Sequence, residues 1–177
     1  MNTRESLQKF EETANHFIHV LDQFSMEQLT RQPSESEWSL GQMMQHLINS
    51  ALYMHLRNVE LCMTANETGA DLGAEKSEAG VALFEQGSFP PVRIQVPPSP
   101  QYTPVQPASK EQLVQGLSTV IQRMREVEPT LAHAPQFNKV AHPRFGAMNA
   151  TEWFLLIEMH YRHHLLQLGR LKEFLYA

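Results

Sequence analysis

The chain has 177 residues, 42% of them hydrophobic and 19% charged, a composition that suits one folded globular domain and excludes an intrinsically disordered chain. A formal charge of -5 argues against a nucleic-acid or anionic-membrane surface, and the single cysteine, Cys62, excludes an internal disulfide framework and a cysteine-based zinc ribbon. The longest purely apolar run, Trp153 to Ile157, is far too short to span a bilayer, and the polar start Met1-Asn2-Thr3-Arg4-Glu5 does not read as a secretory signal. A cytoplasmic protein with no membrane and no nucleic-acid partner is the expectation.

Four segments carry a helical period. The first runs over 4–24, with Leu7, Phe10, Ala14, Phe17, Leu21 and Phe24 on one face, Thr3 as its expected N-cap, and Ser25 restarting a short turn that ends at Pro33. The second, over 39–66, opens on Ser39-Leu-Gly-Gln42, the S-x-x-Q form of a capping box, and carries Met43, Met44, Leu47, Ile48, Ala51, Met54 and His55 on or beside one stripe. The third, over 109–128, opens on a second box, Ser109 to Gln112, and continues through Leu113, Leu117, Val120, Ile121, Met124 and Val127. The fourth, over 149–175, starts at Asn149-Ala-Thr-Glu152 and has no internal proline. No strand alternation of useful length competes, although Val92 to Val96 can form a short extended piece.

Two long connections separate these helices. The insert at about 67–108 is Gly-rich and acidic first, with room for a short helix around Val81 to Phe84, and then holds seven of the eleven prolines, which force it to be extended. A connector of that length is uncommon in a compact bundle and is expected to wrap it or to form part of a site's lid. The second connection, 128–148, is broken by Pro129, Pro135 and Pro143. The predicted architecture is one all-α domain over 1–177, a four-helix bundle with long crossover connections.

Nine histidines are the unusual count, and the fourth helix makes two of them informative. Trp153, Ile157, Leu168 and Leu171 define its apolar stripe; His160 and His164 fall within it at i, i+4, a spacing that lets two imidazoles converge on one ion. The plainer reading makes both ordinary core histidines bonded to backbone or water. Gln167, one turn on, sits at the edge of the same face, and His163 points a quarter-turn away, toward a rim or solvent. A metal needs a further ligand from another helix. His46, at the edge of the second stripe beside Met43, Ser50 and Tyr53, is one candidate, and His55, nearer the centre, competes with it. His16 and His19 face away from the first helix's apolar side, and His133 and His142 lie in a connection.

Other chemistries are absent as motifs. The chain has no paired Glu-x-x-His, no H-E-x-x-H, no phosphate-binding G-x-x-x-x-G-K-[ST], no G-x-G-x-x-G and no G-x-S-x-G. Cys62 has no basic neighbour in sequence and reads as an inert, partly buried thiol. Arg170 and Lys172 suit a helix C-terminus and need no ligand.

Glu37-Trp38-Ser39-Leu40 leading to His46-Leu47 resembles the W-S-[IL]-x-x-x-x-x-H-[LI] signature of DinB-like domains. His142-Pro-Arg-Phe-Gly146, Asn149 to Trp153, and His160-x-x-x-His164-x-x-Gln167-Leu168 are similar to that family's C-terminal motif. The resemblance implies a metalloenzyme-type four-helix bundle, usually bacterial and often a homodimer, with a metal held by three histidines that map onto His46, His160 and His164. Related members include S-transferases using bacillithiol-type thiols and an isomerase using mycothiol. The proline-rich insert departs from the pattern.

Two classes of function follow. One is an enzyme, a metal-dependent thiol S-transferase or a related hydrolase or isomerase, in which zinc or nickel activates a low-molecular-weight thiol or water against a small-molecule electrophile; Tyr53, Tyr161, His163 and Gln167 are candidate helpers at the metal's periphery or at the substrate. The other is a non-catalytic metal-binding or interaction module on the same bundle.

Overall fold

Phe10, Ala14, Phe17 and Leu21 recur at helical spacing and are all buried on one face of the first helix, α1 (Thr3–Leu21), in the computed structural model, which describes residues 2–64, 74–93 and 99–177. The N-cap is Asn2 rather than Thr3. Asn2 Oδ1 accepts from the Glu5 backbone N–H at 2.8 Å, while the Thr3 hydroxyl, already inside the helix, donates to Glu128 at 2.7 Å. Ser25 and Gln28 then form a reciprocal capping box on a one-turn helix, α2 (Met26–Leu29).

The second bundle helix starts where the S-x-x-Q spacing predicts, with Ser39 and Gln42 capping α3 (Leu40–Asn49). It is not one regular helix. α3 passes into a π-helical segment, Ser50–His55, and then into α4 (Leu56–Met63); the expected fading near residue 66 lies outside the described residues. Within the insert, Ser77 caps α5 (Glu78–Gln86), longer than the Val81 to Phe84 turn predicted, and Gly87 ends it in the left-handed conformation at φ +67°. The extended piece expected over 92–96 falls mostly outside the described residues.

α6 (Lys110–Val127) follows its Ser109 cap as expected and runs into a 3-10 segment, Glu128–His133. The second connection then holds an element the sequence reading missed, a hairpin of β1 (Val140–His142) and β2 (Gly146–Met148). Gly146 is required there: its φ is +76°, and a Cβ on it would lie 2.4 Å from the Ser77 backbone nitrogen. That close approach lets the insert dock on the hairpin, with Ser77 N–H donating to the Phe145 carbonyl and Ala147 N–H to the Glu75 carbonyl. The fourth bundle helix is also interrupted, into α7 (Ala150–His163) and α8 (Leu165–Tyr176), parting at His164.

α1 packs on α6 and on α7, α3 packs on α6, and α4 packs on α7, which closes a four-membered bundle in which the second and fourth helices are neighbours. The fold is all-α apart from the small hairpin. Its centre holds Phe10, Phe17, Leu47, Leu117, Trp153 and Tyr161, each with no solvent exposure. Full burial of such a side chain stabilises by about 1.5–3 kcal/mol. Among the described residues no helix is long and apolar enough to cross a membrane.

Candidate metal centre

Two adjacent helices must hold their relative register if side chains on each are to meet. Tyr161 supplies that lock. Its ring packs edge-on against Phe10 at 4.7 Å, and its hydroxyl donates to the Leu47 carbonyl at 3.0 Å. Tyr161 and Leu47 are the sequence neighbours of His160 and His46, so the bond that fixes the helices also fixes the two imidazoles.

His46 Nε2 lies 3.2 Å from His160 Nε2, and His164 Nε2 lies 3.1 Å from the same atom. The three nitrogens can serve as one set of metal-ligand atoms, all within 4.8 Å of one another. Ligands about 2.05 Å from one zinc ion at tetrahedral angles stand about 3.3 Å apart, close to this spacing.

Proton accounting favours a cation at that point. His164 Nδ1 is 2.8 Å from Gln167 Oε1, which can only accept, so the proton sits on Nδ1 and Nε2 presents a lone pair. His46 Nδ1 faces the Ser50 hydroxyl at 3.4 Å, which suits the same tautomer. His160 can place one proton on Nε2 and satisfy one neighbour, not both. Burial, with the other histidines added to it, pushes His46 down to about 3 and His160 well below the ordinary value. Burial likewise takes His164 to about 4, against the opposing Gln167 bond. Neutral imidazoles with converging lone pairs are what a divalent cation binds.

The cluster forms the floor of a cavity of about 400 Å³. Trp38, part of the Trp-Ser motif, packs its ring 4.9 Å from His46. The insert, expected to wrap the bundle or to form part of a site's lid, supplies a wall through a residue the sequence did not single out: Phe89 stacks on His163 at 5.2 Å and stands 6.0 Å from His160. Pro91, Val92 and Arg93 continue that wall, so the insert shapes the cavity mouth. Arg144 and Arg170 also line it, Arg170 from the middle of α8 rather than from a helix end. Their spacing in sequence carries no periodic signal, because hairpin, insert and helix meet only in three dimensions.

The remaining sequence candidates fall in different places. His163 and Gln167 line the cavity, whereas Tyr53 is 71% exposed and is not among the lining residues. His55 is buried against Trp153, its ring 5.4 Å from that of His160, outside the converging set. Cys62 is fully buried, its thiol donates to the Met148 carbonyl, and burial pushes it up to about 11. His16, His19 and His133 are exposed.

In comparison with known protein families, residues 9–168 match the model described as DinB superfamily. No curated protein matches the chain.

Proposed function

The chain belongs to the DinB superfamily, and from that premise we propose that His46, His160 and His164 hold a divalent ion, zinc or nickel, in a metal-dependent enzyme acting on a small electrophilic substrate. The observation that carries this reading is the convergence of three imidazole Nε2 atoms on one point at the floor of the cavity. Three neutral ligands with no carboxylate leave an ion its full charge and open positions, unlike a closed structural site. When bound, such an ion acidifies water or a thiol and so supplies a nucleophile near neutral pH.

The chain's own residues set up that chemistry. Gln167 and Ser50 hold the outward-facing nitrogens of His164 and His46, which fixes each ring's tautomer and direction. Trp38, Phe89 and Leu171 give the cavity apolar walls, in which charge acts more strongly than in water. His163 and Gln167 stand where a substrate would touch them. Cys62 does not serve as the nucleophile, because it is sealed in the core with its thiol protonated at neutral pH. A thiol route therefore requires a low-molecular-weight thiol from outside the chain.

The test is metal content of untagged protein by elemental analysis, followed by conjugation of a model electrophile with several small thiols. Wild type is compared with His160→Ala and Cys62→Ala. Metal-dependent conjugation lost in the histidine variant and kept in the cysteine variant is the expected result. Bound metal with equal background rates in all three proteins would favour a non-catalytic metal-binding module.

A further inference from the structure

The cavity carries a charge opposite to that of the chain. The protein's formal charge is -5, yet among the described residues the lining contains Arg93, Arg144 and Arg170 against one carboxylate, Glu37. Arg93 and Glu37 form an ion pair with each other and cancel. Arg144 and Arg170 have no carboxylate within salt-bridge distance among the described residues. Two cations are thus left facing a space otherwise lined by aromatic, aliphatic and neutral polar side chains, Ser36 and Gln167 among the last.

Both are delivered by ordered elements. Arg144 sits in the hairpin turn, its guanidinium 5.3 Å from the Phe145 ring centroid. Arg170 projects from α8 one turn beyond Leu166 and Gln167, which line the same cavity.

We propose that the substrate of this cavity is a small organic acid whose carboxylate is clamped by Arg144 and Arg170 while its reactive end faces the three histidines. The inference rests on reading the cavity as a substrate site. Guanidinium forks match a carboxylate in two-point, charge-assisted hydrogen bonds. A volume of about 400 Å³ suits a small molecule with an apolar body lying against Trp38 and Phe174.

Hydrocinnamate and its uncharged amide, hydrocinnamamide, are matched probes of this clamp, titrated calorimetrically into zinc-supplemented and chelator-treated protein. In wild type the acid binds about tenfold tighter than the amide in both forms. In the Arg144→Gln, Arg170→Gln double variant that advantage falls to within about twofold, while the amide's affinity, which reports an intact cavity, is unchanged. Equal affinities in wild type overturn the proposal. So does an acid advantage that survives the double variant, including one confined to the zinc-supplemented form, which would place the carboxylate on the ion. The two readings fail separately: no retained zinc with an arginine-dependent acid advantage removes the metal and leaves the clamp, and retained zinc with no acid advantage does the reverse.

Discussion

Half of the bundle is regular and half is interrupted. α1 and α6 run 19 and 18 residues without a break, and apart from Ser6 every residue they bury is apolar. The neighbouring pair is broken by a π segment at Ser50–His55 in one helix and a parting at His164 in the other. That pair contains the buried Gln42, His55 and Glu158 as well as the three converging histidines. Two of the three buried side-chain atoms without a partner among the described residues, His55 Nδ1 and His160 Nδ1, belong to it. The regular half supplies almost purely apolar core, and the interrupted half also buries polar groups, two atoms of which lack a partner among the described residues.

If that division is real, damage to the two halves separates into different measurements. The largest expected effect lies in the regular half. Phe17→Ala empties a fully buried site and should cost about 3–5 kcal/mol in denaturant unfolding. The fraction that remains folded should keep its metal stoichiometry. His160→Ala should do the opposite, weakening zinc at least about 100-fold in a chelator competition. Its metal-free unfolding midpoint should move far less, since it removes a ring whose Nδ1 is buried unpaired. A metal-free stability loss as large as that of Phe17→Ala would break the comparison.

The same division explains what was legible in the sequence. Apolar spacing and Ser-x-x-Gln boxes locate α3 and α6 at their starts, because a regular helix repeats its burial every turn. The choice between His46 and His55 was not legible from periodicity. Nine steps of about 100° would set the two on opposite faces of an ideal helix. The π segment turns less per residue and brings both rings beside His160, with centroids 5.0 and 5.4 Å away. Family motifs, not helical geometry, favoured His46. Phe89 and Arg170 carried no signal for the cavity because their partners are far apart in the chain, Arg144 entered only as one residue of a family motif, and the hairpin was hidden by strands of three residues each.

A smaller effect tests whether the interrupted half is tuned beyond its ligands. Gln167→Ala removes the acceptor that holds the proton on His164 Nδ1 and so frees the ring to rotate and to change tautomer. Zinc affinity should fall about tenfold, with unfolding of the metal-free protein nearly unchanged because Gln167 is only half-buried. Unchanged affinity would mean that the His160–His164 spacing alone orients the site.

The smallest expected effect lies in the hairpin that joins the two connections, and it depends on pH. His142 Nδ1 accepts the backbone N–H of Arg144 at 2.9 Å and that of Phe145 at 3.2 Å, so a lone pair must stay on Nδ1 and the neutral ring carries its proton on Nε2. Burial, and then Arg144, push this histidine from its ordinary value of 6.5 down to about 4. With the folded value below the unfolded one, the unfolded chain binds more protons as the solution is acidified. The stability held by the turn is therefore complete above about pH 6.5 and is lost as pH falls toward about 4. The ring is partly open to solvent, which screens the effect to about 1 kcal/mol or less. A ring titration by NMR should place the His142 midpoint well under 6.5, with faster amide exchange at Arg144 and Phe145 on acidification. A midpoint at or above 6.5 would show that the two N–H bonds do not hold the turn, and with it the footing of Arg144 at the cavity mouth.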